Sequence, residues 1–101
     1  MSKNGMRPVH PGEILLAEFL KPSDPPINAN TLARTLEVPA NRITALIKGQ
    51  LGITDDTAVR LATFFNMTPE FWMNLQKTYE LRLAEKSLPV RVKKHIEESV
   101  L

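Results

Sequence analysis

Three times before Thr44, the chain sets one apolar residue five positions ahead of another across a helix-start signal: Val9 and Ile14, Ile27 and Leu32, Val38 and Ile43. An apolar residue just outside a helix folds back on the fourth helical residue and fixes the angle of entry. The repetition predicts short, closely punctuated helices. Pro11 suits a first helical position, where a missing N–H costs nothing, and Glu13 can reach back to the cap amide. That helix runs to about Leu20, with Leu15 and Phe19 on one face, and Lys21 to Pro26 is a loop.

The remaining start and stop signals divide the rest of the chain. Asn28 caps a helix from Ala29 to Leu36. The next runs from about Pro39 to Lys48 and ends at Gly49, which accepts the left-handed backbone of a helix terminus. Thr54 caps a fourth, with Asp55 and Asp56 at the positive end of its dipole and Ala58, Leu61, Ala62 and Phe65 on one face. Thr68 and Pro69 open a fifth, along which Trp72, Leu75, Tyr79 and Leu83 share a face, with Phe71 beside them. After Pro89, residues 90–92 can extend, or the tail to Leu101 can form a sixth short helix. No segment alternates apolar and polar residues long enough to be a strand, so the expected fold is all-α.

Length and composition then exclude function classes. A chain of 101 residues suits one domain spanning 1–101, leaving no room for a separate catalytic domain. The absence of cysteine excludes disulfides and thiolate metal sites and fits a reducing cytosol. Met1 to Gly5 lacks the apolar core of a signal peptide, and no apolar run approaches the roughly 20 residues that span a bilayer. A cytoplasmic protein without membrane contact is expected. His10 and His95 lie in different segments, no His-Glu-x-x-His occurs, and neither a nucleophile elbow nor a glycine-rich phosphate loop is present. No catalytic residue, metal or cofactor is therefore assigned, and His10 reads as a cap or turn residue.

The informative stretch is 29–48. Two helices of about eight residues joined by a tight turn meet the requirement of a helix-turn-helix. Ala33 supplies the small residue at their crossing, and Leu32, Leu36, Val38, Ile43 and Leu46 plug the space between them. The second helix is left with Ala40, Asn41, Arg42, Thr44, Ala45 and Lys48 on its outer face. Asparagine can make two hydrogen bonds to adenine, arginine two to guanine, and the methyls of Thr44 and Ala45 can meet a thymine methyl. Lys48 suits a phosphate, Asn28 and Asn30 stand where free helix amides can hold another, and Arg34 and Gln50 complete the candidate DNA-binding set. Arg34, Arg42 and Lys48 against Glu37 give this stretch a charge of +2, equal to the net charge of the whole chain. The structural alternative is a pair of packed helices with a solvated polar edge. Glu37 stands where such a turn often has glycine, and a left-handed backbone there costs about 1 kcal/mol.

Four segments carry a family resemblance: 10–15 (His-Pro-Gly-Glu-Ile-Leu), 32–43, 52–58 (Gly-Ile-Thr-Asp-Asp-Thr-Ala) and 69–76 (Pro-Glu-Phe-Trp-Met-Asn-Leu-Gln). In that order they resemble the HigA-type antitoxins of bacterial toxin–antitoxin modules, over roughly residues 8 to 85. The resemblance implies a lambda-repressor-like fold of five helices, followed here by a C-terminal extension over 87–101. It also implies a homodimer, neutralisation of a HigB-type ribonuclease toxin, and repression of the protein's own operon at a palindromic operator. Glu37 and the proline-rich loop at Pro25–Pro26 depart from the family pattern. Two other readings stay open: a protein-interaction module that neutralises its partner without touching DNA, and a phage-type repressor without a toxin.

A dimer interface is expected among Trp72, Leu75, Gln76, Tyr79 and Leu83, although Phe71 and Trp72 are expected mainly in the core. The four bases between Lys86 and Lys94 read by default as solvated.

Overall fold

The computed structural model describes residues 7–99. The expectations for Met1 to Gly5 and for the last two residues lie outside it. Among the described residues every regular element is helical: α1 (Pro11–Ile14, continued by a wider π-helical turn, Leu15–Leu20), α2 (Ala29–Leu36), α3 (Ala40–Ile47), α4 (Asp55–Phe65), α5 (Pro69–Ser87) and α6 (Val90–Glu98). The tail thus forms a sixth helix after the expected five.

Local chemistry sets the helix ends. The Thr31 amide donates to Asn28 Oδ1 at 2.8 Å, and the Thr57 amide donates to Thr54 Oγ1 at 3.3 Å. At α1 the cap is His10, whose Nδ1 accepts from the Gly12 amide at 2.9 Å. Glu13 pairs with Arg7 at 2.9 Å, and that bond, with a lesser contribution from the backbone of the cap residue His10, holds its carboxyl below the ordinary range. Thr68 occupies the cap position of α5 without a side-chain bond. Glu37 is left-handed, with φ 58° and ψ 47°, and so is Gly49, with φ 78°. Glu37 therefore carries the strain that glycine would avoid.

One core joins the first five helices. Leu15, Leu20, Leu32, Ala33, Leu36, Ile43, Leu46, Ile53, Ala58, Leu61, Ala62 and Trp72 are buried in it. Each fully buried leucine or isoleucine contributes roughly 1.5–3 kcal/mol. The π turn brings Leu15 and Leu20, five residues apart, to the same interior, with the Lys21 amide donating to Leu16 O at 2.9 Å. Phe19, Phe65 and Phe71 surround Trp72 with ring centroids 4.9, 6.3 and 5.1 Å away.

Helices α2 and α3 pack on each other, α4 packs on α5, and α1 lies against both α3 and α5. The second half of α5 leaves this head. Leu81 is 51% exposed, Val90 82% and Ile96 55%, and α6 buries no residue. The resulting arm raises the radius of gyration to 16.7 Å, against about 13 Å for a compact domain of this length.

Candidate nucleic-acid interface

Helix α3 is fixed from three sides before any of its outer residues matter. Ile43 and Leu46 anchor it in the core against Leu32, Ala33 and Leu36 of the supporting helix. At the C-terminal end of α3, α1 comes so near that a Cβ on Gly12 would lie 1.9 Å from the Leu46 carbonyl oxygen, so only glycine fits. From behind, His10 packs beside Gly49 and sets its ring edge-on to Tyr79 of α5, centroids 4.8 Å apart. Burial pushes the His10 imidazole below its ordinary value, partly opposed by its hydrogen bond to the Leu51 backbone. The neutral form, with Nδ1 free to accept from Gly12, is the one that the packing selects.

The outer face of α3 is concave. A hollow of about 540 Å³ is lined by Pro39, Asn41, Arg42, Thr44, Ala45, Gln50 and Leu51. Five of the residues assigned from sequence to base or phosphate contact meet there. Asn41 and Gln50 are exposed, while Arg42, Thr44 and Ala45 are half-buried. The Thr44 hydroxyl donates to the Ala40 carbonyl at 3.1 Å. Its proton is thereby committed, and its methyl remains the part offered for apolar contact. Ala40 and Lys48 are exposed at the two ends of the helix. Asn28, Asn30 and Arg34 are exposed on the supporting helix, outside the hollow, with the Asn28 side chain already engaged as cap.

Two residues that were not assigned to the site from sequence shape it. Asp56 of α4 binds Arg42 Nη1 through Oδ2 at 3.0 Å, and the same oxygen accepts from Arg60 Nε at 2.9 Å. Arg60 Nη1 also donates to the Leu36 carbonyl, at 2.6 Å, at the end of α2. The Arg60 guanidinium, then that of Arg42, holds the Asp56 carboxyl below its ordinary range. Sequence spacing marks the Asp56–Arg60 pair, four apart on one helix, but not the bond to Arg42 fourteen residues away.

The expected dimer residues separate. Trp72 has no exposed surface and cannot meet a second copy; its side chain belongs to the core. Gln76 is also buried: its Oε1 accepts from the Ile53 amide at 2.7 Å and its Nε2 donates to Glu80. Both side chains are withdrawn from the interface assignment for that reason. Leu75 and Tyr79 are half-buried, and Leu83 is exposed. Phe71, expected in the core, lies at its edge and is exposed. Among the described residues, no group of three His, Asp or Glu side chains is placed to hold a metal ion, and no helix is long and apolar enough to cross a membrane.

No protein-family model matches the chain. Individual relatives do. The chain is similar to an addiction-module antidote protein of the HigA family from Coxiella burnetii, with 48% identity, a TM-score of 0.77, and 95% of this chain and 98% of that one covered. It is also similar to the Pseudomonas aeruginosa antitoxin HigA, solved with the higBA promoter, with 41% identity, a TM-score of 0.78, and 94% and 97% covered. The antitoxin HigA-1 of Vibrio cholerae is 40% identical over 81 residues, 80% of this chain and 74% of that protein.

Proposed function

The chain belongs to the HigA family of helix-turn-helix antitoxins, and from that premise we propose that it is an antitoxin that represses its own operon. In this reading two copies form a homodimer and set their α3 helices about 34 Å apart, one turn of B-DNA, over a palindromic operator. It acts in the cytoplasm as a binding protein rather than an enzyme, and its protein partner is a HigB-type ribonuclease toxin.

The observation that carries the DNA part is the hollow on α3. It gathers an amide, a guanidinium, two methyls and a second amide (Asn41, Arg42, Thr44, Ala45, Gln50) on a helix whose backbone is held from behind. Those groups match the donor, acceptor and methyl pattern of the major groove. Lys48, Asn28, Asn30 and Arg34 flank it, where contact to the sugar–phosphate strand sets register without reading sequence. The solved relative bound to promoter DNA supports the same use of the fold. Leu75, Tyr79 and Leu83 remain the residues proposed at the dimer interface.

The test is binding to the duplex upstream of the protein's own coding sequence, against a scrambled duplex. Asn41→Ala is expected to lose about 1–3 kcal/mol on the specific site and almost nothing on the scrambled one. Lys48→Ala is expected to weaken both alike and to lower the salt dependence by about one counterion. A wild-type ratio retained in Asn41→Ala removes that residue from base reading. Co-expression with the neighbouring reading frame and pull-down tests the toxin. Capture of a partner without any operator preference would favour the interaction-module reading instead.

A further inference from the structure

Arg42 stands on a ridge. It borders both the hollow of α3 and a second one of about 580 Å³, whose walls include Gly52, Asp56 and Gln76. An arginine alone on an exposed helix face samples many rotamers and pairs with any phosphate in reach. Discrimination between base pairs needs its fork held in one plane, with one edge presented.

We propose that Asp56 is a positioning residue for base discrimination: by holding one terminal nitrogen of Arg42 against α4, it aims the rest of the guanidinium at the base edges and withholds it from indiscriminate phosphate pairing. The inference rests on the DNA-binding reading above. Its geometric support is the anchoring of Asp56 itself. The oxygen that receives Arg42 also receives Arg60, and Arg60 is tied to the Leu36 carbonyl. One carboxylate thereby links the end of α2, the first turn of α3 and the first turn of α4. A half-exposed ion pair of this kind adds little to folding, so stability does not account for it. Electrostatics works in the same direction. With Asp56 held between them, Arg42 and Arg60 together present to a distant phosphate one net positive charge instead of two. A guanine edge, approached at contact distance, still meets the unused donors of the fork.

Asp55 supplies the control. It is the adjacent residue of the same helix, carries the same charge and makes no ion pair among the described residues. The full-length protein is titrated against its operator duplex and a scrambled duplex between 50 and 200 mM salt, as wild type, Asp56→Asn and Asp55→Asn. In Asp56→Asn the operator-to-scrambled affinity ratio is expected to fall about tenfold, within the range of one bidentate base contact. The salt slope on scrambled DNA is expected to steepen by about 0.9, one counterion for one freed cation. Asp55→Asn is expected to keep the wild-type ratio. In an Arg42→Ala background, Asp56→Asn is expected to lower the ratio no further. Should Asp56→Asn fold poorly, Arg42→Lys carries the test. It keeps the charge and loses the fork, so the ratio is expected to fall while scrambled DNA binds at least as tightly as before.

An unchanged ratio in Asp56→Asn, or in Arg42→Lys where that variant carries the test, overturns the inference. So does an equal fall in Asp55→Asn, or an undiminished effect without Arg42. Each of those results leaves the DNA-binding reading intact. A wild type that does not prefer its operator overturns that reading, and this inference with it.

Discussion

The head and the arm obey different rules. Between Pro11 and Tyr79 the buried apolar side chains form one core, with Leu51, Val59, Phe64 and Phe71 exposed around it, and the last buried one, Trp72, is completely enclosed. Among the described residues from Leu81 to Ser99 none is buried: Leu81, Leu83, Leu88, Val90 and Ile96 are all exposed. Both regions are helical, yet only the head owes its helices to packing. The arm relies on local terms, such as the Arg82–Glu85 pair at 3.2 Å, which are each worth a few tenths of a kcal/mol. The contrast shows that the geometry of α3 is built into the single chain, whereas the arm offers an apolar surface that no other described residue buries.

The largest effect that can break this contrast is Trp72→Ala. It is expected to lower the unfolding free energy by about 3–5 kcal/mol in a denaturant melt. Trp72→Phe should be far milder, because it also removes an indole N–H that has no hydrogen-bond partner. A small loss in Trp72→Ala would mean that the head is no better packed than the arm.

Next comes Gly12→Ala, where the new Cβ meets backbone and forces α1 from α3. About 1–3 kcal/mol of destabilisation is expected. Operator affinity should fall even at temperatures where circular dichroism shows full helix content, since α3 loses its brace.

His10→Ala removes the α1 cap, at about 1 kcal/mol. It also tests a pH dependence whose sign follows from burial. The folded chain holds His10 below its ordinary value of 6.5, so the unfolded chain binds the proton first as pH falls. The stabilisation is complete above that ordinary value and is lost progressively below it, towards the depressed folded value. Thermal melts from pH 7.5 to 5 should show this decline in the wild type and a shallower one in His10→Ala.

The smallest effect belongs to the arm. In dilute solution, Leu81→Ser and Leu88→Ser should change the melt by no more than about 0.5 kcal/mol. If a second copy covers the arm, the difference from wild type grows with protein concentration, because association stabilises by mass action. A large, concentration-independent loss would place the arm with the core and dissolve the distinction.

What could be read from sequence was whatever depends on neighbours in the chain. The caps at Asn28 and Thr54, the stop at Gly49 and the left-handed turn at Glu37 are decided within a few residues, and each appears where expected. The polar face of α3 was legible for the same reason, since its burial partners repeat at helical spacing. What failed needed tertiary information. The pairing of Glu13 with Arg7, six residues back and outside the helix, was not read from the spacing. Trp72 and Gln76 share a stripe with Leu83, and nothing in the spacing says where α5 leaves the core. The bond from Asp56 to Arg42 joins two helices, so neither helix announces it. The tail's helix follows a proline and carries no cap that bonds through its side chain, which left its conformation open.

The π turn at Leu15–Leu20 has a bearing on how the segment tolerates length changes. A wider winding accommodates one residue more per turn than an ordinary helix, and here it lets residues five apart share an interior. Deleting Ala17, which is exposed, would let the segment rewind as a regular helix and bring Leu20 to the spacing of four that Leu15 and Phe19 have now. The head could then keep both leucines inside while the chain entered the following loop one step earlier. A shortened first helix is thus a change that this architecture can absorb, and the mobile register lies in the winding rather than in the loop.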